Sequence, residues 1–220
     1  MKGSVTKSTA TMLALALGAA LASPAAADLI VRFDQPHYEL EPGQALTVHI
    51  HYDADAGEPG DTPWPAGLFG AALRVEGYDG YLAIDDVDND VVLPAALDSD
   101  AFGTGPALRE LGPAGAFVRF RGEVDLFAGP GLPEPYDGTH LGSIAFQVLE
   151  QVGQFSLELG PFGDAAADFV DGQDQDIDEQ VSFTSSTVNV VPEPASLALL
   201  GAGLLLLGRR GRRRGPATSG

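Results

Sequence analysis

Two runs of carboxylates offer the densest concentration of potential chemistry in the chain. Asp85-Asp86-Val87-Asp88-Asn89-Asp90 sets Asp86, Asp88 and Asp90 at alternate positions. Asp171-Gly172-Gln173-Asp174-Gln175-Asp176-Ile177-Asp178-Glu179 repeats the arrangement with Asp174, Asp176 and Asp178. Calcium takes six to eight oxygen ligands, and closely spaced loop carboxylates supply them. Neither run completes an EF-hand loop. Counted from Asp86, the glycine position holds Val91 and the terminal glutamate position holds Leu97; counted from Asp174 they hold Glu179 and Ser185. These acids read either as solvated loop charges or as ligands of a weak calcium site, and calcium is the one cofactor they suggest. His49 and His51 share a strand face and, with His37 or His140, have the donors for zinc or copper. Their alternation with Leu46, Val48 and Ile50 equally describes exposed histidines on a polar face. Trp64, held between Pro63 and Pro65, is a rigid surface on which a sugar ring could stack, with Tyr78, Tyr81 and Tyr136 as further candidates. The alternative for Trp64 is to pack its own loop onto the body.

Other chemistries are poorly provided for. The 220 residues contain no cysteine, which removes disulfides, thiolate metal sites and cysteine nucleophiles. There is no Gly-x-Ser-x-Gly elbow, no phosphate-cradling glycine loop and no His-Glu-x-x-His. Carboxylate pairs for glycoside hydrolysis are unavoidable among so many acids, so no pair is informative. The expectation is a protein that is not an enzyme. Of 31 acidic residues only Glu193 lies outside residues 28–191, where the bases are Arg32, Arg74, Arg109, Arg119 and Arg121, a net charge of −25 without one lysine. Such a surface repels nucleic acid, whose binding needs clustered Lys and Arg. It also repels itself, a cost that salt screens.

The elements that must position these residues are strands. The 28 glycines and 16 prolines, a fifth of the chain, favour turns over long helices. Leu46-Thr47-Val48-His49-Ile50-His51-Tyr52 alternates strictly, the pattern of a strand with one buried face. Ala116–Val124 alternates with Ala116, Val118 and Phe120 on one side and Arg119 and Arg121 on the other. Ile144–Leu149, the run Phe155, Leu157 and Leu159, and Val181–Val190 extend the pattern. Leu29–Phe33, Leu68–Val75 and Tyr81–Val87 are weaker strands, and Ala95–Leu111 has room for one short turn of helix. Turn clusters such as Glu41-Pro42-Gly43-Gln44 separate them. Eight or nine strands with these signals predict an all-β, antiparallel sandwich.

The two ends are of a different kind. Residues 1–27 read as a signal peptide: Lys2 and Lys7, then the apolar Thr11–Ala22, then Ala25-Ala26-Ala27 before a cut at Asp28 by signal peptidase. Residues 192–220 begin with Pro192-Glu193-Pro194, continue through the apolar Leu197–Leu207, and reach Arg209, Arg210, Arg212, Arg213 and Arg214. The apolar stretch suits a helix but is shorter than the roughly 20 residues that span a bilayer comfortably. Snorkelling arginines or local thinning would let it insert transiently, with the arginines kept cytoplasmic as a stop-transfer signal. This three-part tail resembles the PEP-CTERM sorting signal of Gram-negative bacteria, apart from a few residues beyond the arginines. The resemblance implies export across the inner membrane, processing near Pro-Glu-Pro by an exosortase, and display at the cell surface or in an exopolysaccharide matrix. An ordinary tail anchor is the rival reading of the same residues.

Between the ends, residues 28–191 form one domain. Glu41-Pro42-Gly43-Gln44-Ala45-Leu46-Thr47-Val48 and Gly138-Thr139-His140-Leu141-Gly142-Ser143-Ile144-Ala145-Phe146-Gln147-Val148 are similar to an early and a late strand of cohesin domains. The resemblance implies a jelly-roll sandwich close to cohesins and carbohydrate-binding modules, flanked by the signal helix and the short apolar helix. It does not carry dockerin binding with it. The 53–67 loop and the 88–115 segment depart from a compact cohesin. The functional expectation is a secreted contact protein, with exopolysaccharide or another surface protein as partner.

Overall fold

The computed structural model describes residues 29–54, 64–100, 105–125, 134–163 and 167–192, together with positions 199 and 202. The signal peptide, Glu193, Pro194 and the arginine cluster lie outside the described residues, as does the tail's apolar stretch apart from those two positions. Among the described residues no helix is long and apolar enough to cross a membrane.

Two sheets face each other. The strands run β1 (Leu29–Phe33), β2 (His37–Leu40), β3 (Ala45–Asp53), β4 (Leu68–Glu76), β5 (Leu82–Ala83), β6 (Val91–Val92), β7 (Leu108–Leu111), β8 (Phe117–Glu123), β9 (His140–Val148), β10 (Gly153–Pro161), β11 (Phe169–Asp171), β12 (Val181–Phe183) and β13 (Ser185–Val190). The first sheet has the order β12-β1-β3-β9-β5, with β6 also on β9. The second has the order β2-β13-β10-β4-β8-β7, with β11 also on β4. The alternation read from the sequence becomes the two inner faces. Val48 on β3 sits opposite Ile144 on β9, and Val75 on β4 sits opposite Val118 on β8, all fully buried.

The first strong turn obeys its residues. At Glu41–Gln44 the Gln44 N–H donates to the Glu41 carbonyl at 3.2 Å, with Gly43 at φ +79°. Proline before a positive-φ glycine is the requirement of a type II turn. Glycine is needed for a different reason at Gly122 on β8, where a Cβ would stand 2.3 Å from the Leu97 carbonyl oxygen. That absence of a side chain lets the 94–97 turn lie directly on the sheet.

The sandwich is mainly antiparallel, as expected, with two parallel pairings, β1 with β12 and β2 with β13. Two expectations need correction. The run Val181–Val190 is not one strand. It breaks at Thr184, so that β12 joins one sheet and β13 the other. The early chain makes the same change of sheet between β1 and β2. Asp34 fixes that crossing, accepting from the Tyr38 hydroxyl at 2.7 Å and the His49 N–H at 2.9 Å. Tyr81–Val87 yields only the two-residue β5, since the acids after it form a capped turn, α1 (Val87–Asp90). In 95–111 the described residues form a turn and then β7, and residues 101–104 lie outside the described residues. Asp98 and Ser99 bridge to Glu123. Two short strands, β2 and β11, were too brief and too polar at their edges to stand out by periodicity.

Candidate functional site

The acidic runs serve their own backbone. Asp86 caps α1, its carboxylate accepting from the Asp88 N–H at 3.1 Å and the Asn89 side-chain amide at 2.6 Å. Asp90 accepts from the N–H groups of Asp85 and Asp86 at 3.1 and 2.9 Å. In the second run Asp178 takes the N–H of Phe169 at 2.7 Å and that of Asp168 at 3.0 Å, and Asp176 takes that of Asp178 at 3.0 Å. Asp171, which the alternation did not single out, binds the N–H groups of Gln173 and Gln175. This is the ordinary competition of aspartate for nearby backbone donors. Asp174 sits at φ +60°. Among the described residues no three His, Asp or Glu side chains stand together as a metal site.

The aromatic candidates do not form one platform. Tyr78 is a correction: it is 1% exposed, tilted against Phe146 at 5.1 Å, and no sugar reaches it. Tyr81 is half-buried and stacked on Phe155 at 4.6 Å. Tyr136 donates its hydroxyl to the His140 carbonyl at 2.7 Å. Trp64 is partly buried against the core. Trp64 and Tyr136 lie before the start of β4 and Tyr78 and Tyr81 beyond its end, about 25 Å apart along a nine-residue strand.

The histidines gather more closely than their spacing indicated. His51 on β3 is opposite His140 on β9, with ring centroids 5.2 Å apart, and His49 is 5.5 Å from His140. His37 is on β2 in the other sheet. His49 is exposed, but His51 and His140 are half-buried, and His51 Nδ1 and His140 Nε2 have no hydrogen-bond partner. Burial lowers the pKa of both below the usual imidazole value, with Asp34 opposing it at each. The folded state therefore resists protonation more than the unfolded chain does. As pH falls through about 6.5, the unfolded chain takes up protons first and stability is lost, until the folded imidazoles also titrate. Urea midpoints at pH 7 and pH 5 should differ less in the double variant His51→Gln/His140→Gln than in the wild type. An identical pH response in the two proteins would contradict this.

The described residues also enclose a cleft of about 270 Å3 between β4, β8 and β11. Its walls include Phe69, Val124 and Val170, and its polar groups are Arg121, Glu123, Asp168 and Asp174. β8 points Arg121 outward beside Arg119, and Arg119 faces Arg74 across β4. Three of the body's five arginines thus share one sheet face. Arg119 and Arg121 lie over the Phe162 ring at 4.4 and 5.0 Å, a cation–π arrangement that holds the chain after β10 against the sheet. The Asp168 side chain is only 8% exposed, and Arg121 Nη2 stands 3.8 Å from its Oδ1. That oxygen has no hydrogen-bond partner. Burial raises the Asp168 pKa above the usual carboxylate value, Asp178 adding to the effect and backbone N–H donors and Arg121 opposing it. Arg121 was legible as a polar-face residue. Asp168 was not, being one acid among many with no pattern around it.

Comparison with known proteins bears on the tail and on the fold of the body. Residues 190–214 match the PEP-CTERM protein-sorting motif. No curated protein sequence matches the chain. Among solved structures, the cohesin of the CaDoc0917–CaCohA2 complex is similar with a TM-score of 0.51 and 13% identity over 74% of this chain and 99% of that one. The cohesin of the Coh-OlpA–Doc918 complex, a type I cohesin–dockerin complex from Clostridium thermocellum, has a TM-score of 0.51 and 8% identity over the same shares. The chain is a β-sandwich of cohesin-like fold that carries a PEP-CTERM protein-sorting motif behind its last strand.

Proposed function

We propose that this is an exported surface or matrix protein whose tail is removed by an exosortase and whose acidic sandwich then works by contact alone. The observation that carries the reading is where the fold ends. β13 stops at Val190, and the Val191 N–H donates to the Leu40 carbonyl at 2.9 Å as the last backbone bond of the sandwich. The sorting motif begins at residue 190. A cut near Pro192-Glu193-Pro194 would therefore release the body without removing a core residue. The apolar stretch and its arginines hold the precursor in the membrane until that cut. Of the two kinds of partner, the aromatics, divided between the two ends of β4 and all at least half-buried, favour a protein over a polysaccharide. The likeness to cohesins solved with their dockerins supports the same choice at the level of fold.

Replacing Pro192-Glu193-Pro194 by three alanines should leave unprocessed precursor in the membrane fraction, seen as a larger species on immunoblots. Normal release of that variant would contradict the reading.

A further inference from the structure

We propose that the cleft beside Asp168 binds an organic cation: the ammonium or guanidinium end of a lysine or arginine side chain presented by a protein partner. The proposal deepens the contact role argued above and rests on it. A buried carboxylate oxygen is normally satisfied by a donor. Asp168 Oδ1 has none, although its side chain is more than nine-tenths buried and lines an open cleft. The nearest cation, Arg121, stays beyond hydrogen-bond distance at 3.8 Å while its guanidinium lies over Phe162. The unmet capacity of Asp168 is thus for a donor that arrives from outside.

The rest of the lining selects the kind of donor. Three carboxylates, Glu123, Asp168 and Asp174, face one arginine, so the cleft favours positive charge. Phe69, Val124 and Val170 supply apolar walls, which suit the methylene stem of a long basic side chain. The net charge of −25 on the body draws such partners toward it. A neutral ligand would bring Asp168 Oδ1 no charged donor, and an anion would meet three like charges.

The test uses the full chain in mild detergent and saturation-transfer NMR with small probes. These are Nα-acetyl-lysine methylamide, Nα-acetyl-arginine methylamide, the uncharged norleucine equivalent, and glucosamine as an amine on a sugar. Asp168→Asn keeps an acceptor oxygen for the neighbouring N–H donors and removes the charge. Gly70→Val narrows the cleft and leaves every acid in place, since a Cβ at Gly70 makes only an ordinary contact, 3.4 Å from Glu123 Cγ. The lysine or arginine probe should bind the wild type, and at least tenfold more weakly to each variant. Asp168→Asn should unfold no earlier than the wild type in urea. Binding of norleucine equal to lysine, unchanged binding in both variants, no binding of either basic probe, or a preference for glucosamine would each overturn the proposal. Processing of the tail is read separately, by immunoblot. Asp168→Asn should mature normally, so a failure of the sorting reading and a failure of this one are distinguishable.

Discussion

Replacing Asp53 by alanine should destabilise the sandwich by about 3–5 kcal/mol, the range for breaking a buried ion pair from one side. Asp53 ends β3 with no exposed surface, and its Oδ2 accepts from Arg32 Nε at 3.0 Å and Nη2 at 2.8 Å. Arg32 belongs to the neighbouring β1 and is itself only 16% exposed. Without Asp53 its guanidinium has no comparable partner and no free access to water. The cost is therefore mostly that of a stranded charge, not the loss of an attraction. Two further results separate these causes. The double variant Arg32→Met/Asp53→Leu should recover most of the loss, because apolar groups of similar size leave no charge uncompensated. Added salt should change the single variant's deficit little, since buried pairs are weakly screened. Urea unfolding measures all three. A loss below about 1 kcal/mol in Asp53→Ala, by the standard of an exposed pair, would contradict the argument.

Phe120→Ala should cost a similar amount, about 3–5 kcal/mol, for a different reason. Phe120 lies on β8 with no exposed surface, and its ring reaches across the sandwich to Gly142 on β9, where a Cβ would meet Phe120 Cζ at 3.4 Å. One side chain thus spans the space between the two sheets where β9 has no side chain of its own. Removing it leaves a cavity that neither sheet fills without moving. Phe120→Leu, which retains most of the volume, should cost less than half as much. Thermal and urea unfolding should agree on that order, and equal losses in the two variants would contradict the bridging role.

These two residues differ in how far the sequence announced them. Phe120 stood in a strict alternation with Val118, so its burial followed from the period of a strand. The bounds of β1 matched the weaker strand read at Leu29–Phe33, and the turn at Pro42-Gly43 followed from its residue types. Asp53 carried no such signal, because its burial depends on Arg32, which lies 21 residues away and meets it only through the β1–β3 pairing. Asp168 was hidden in the same way. Its environment is made largely by β4 and β8, both distant in sequence, together with Phe162 and Gly163 of its own connection after β10. The parallel pairings of β12 and β13 were equally silent, since one run of alternating residues looks the same whether it serves one sheet or two. The aspartate runs were open to two readings for a local reason. Spacing that suits calcium also suits turns and caps, and the backbone N–H groups are always at hand to claim the oxygens.

The central claim, that the tail is a removable handle on a sandwich that acts outside the cell, is tested most directly by the termini of the mature protein. Intact-mass and terminal-peptide analysis of the chain recovered from the outside of its host should find a body that starts at Asp28 and ends near Pro192, without Leu197–Leu207 or the arginines. Recovery of the chain only from the cytosol, with residues 197–214 still attached, would contradict the account.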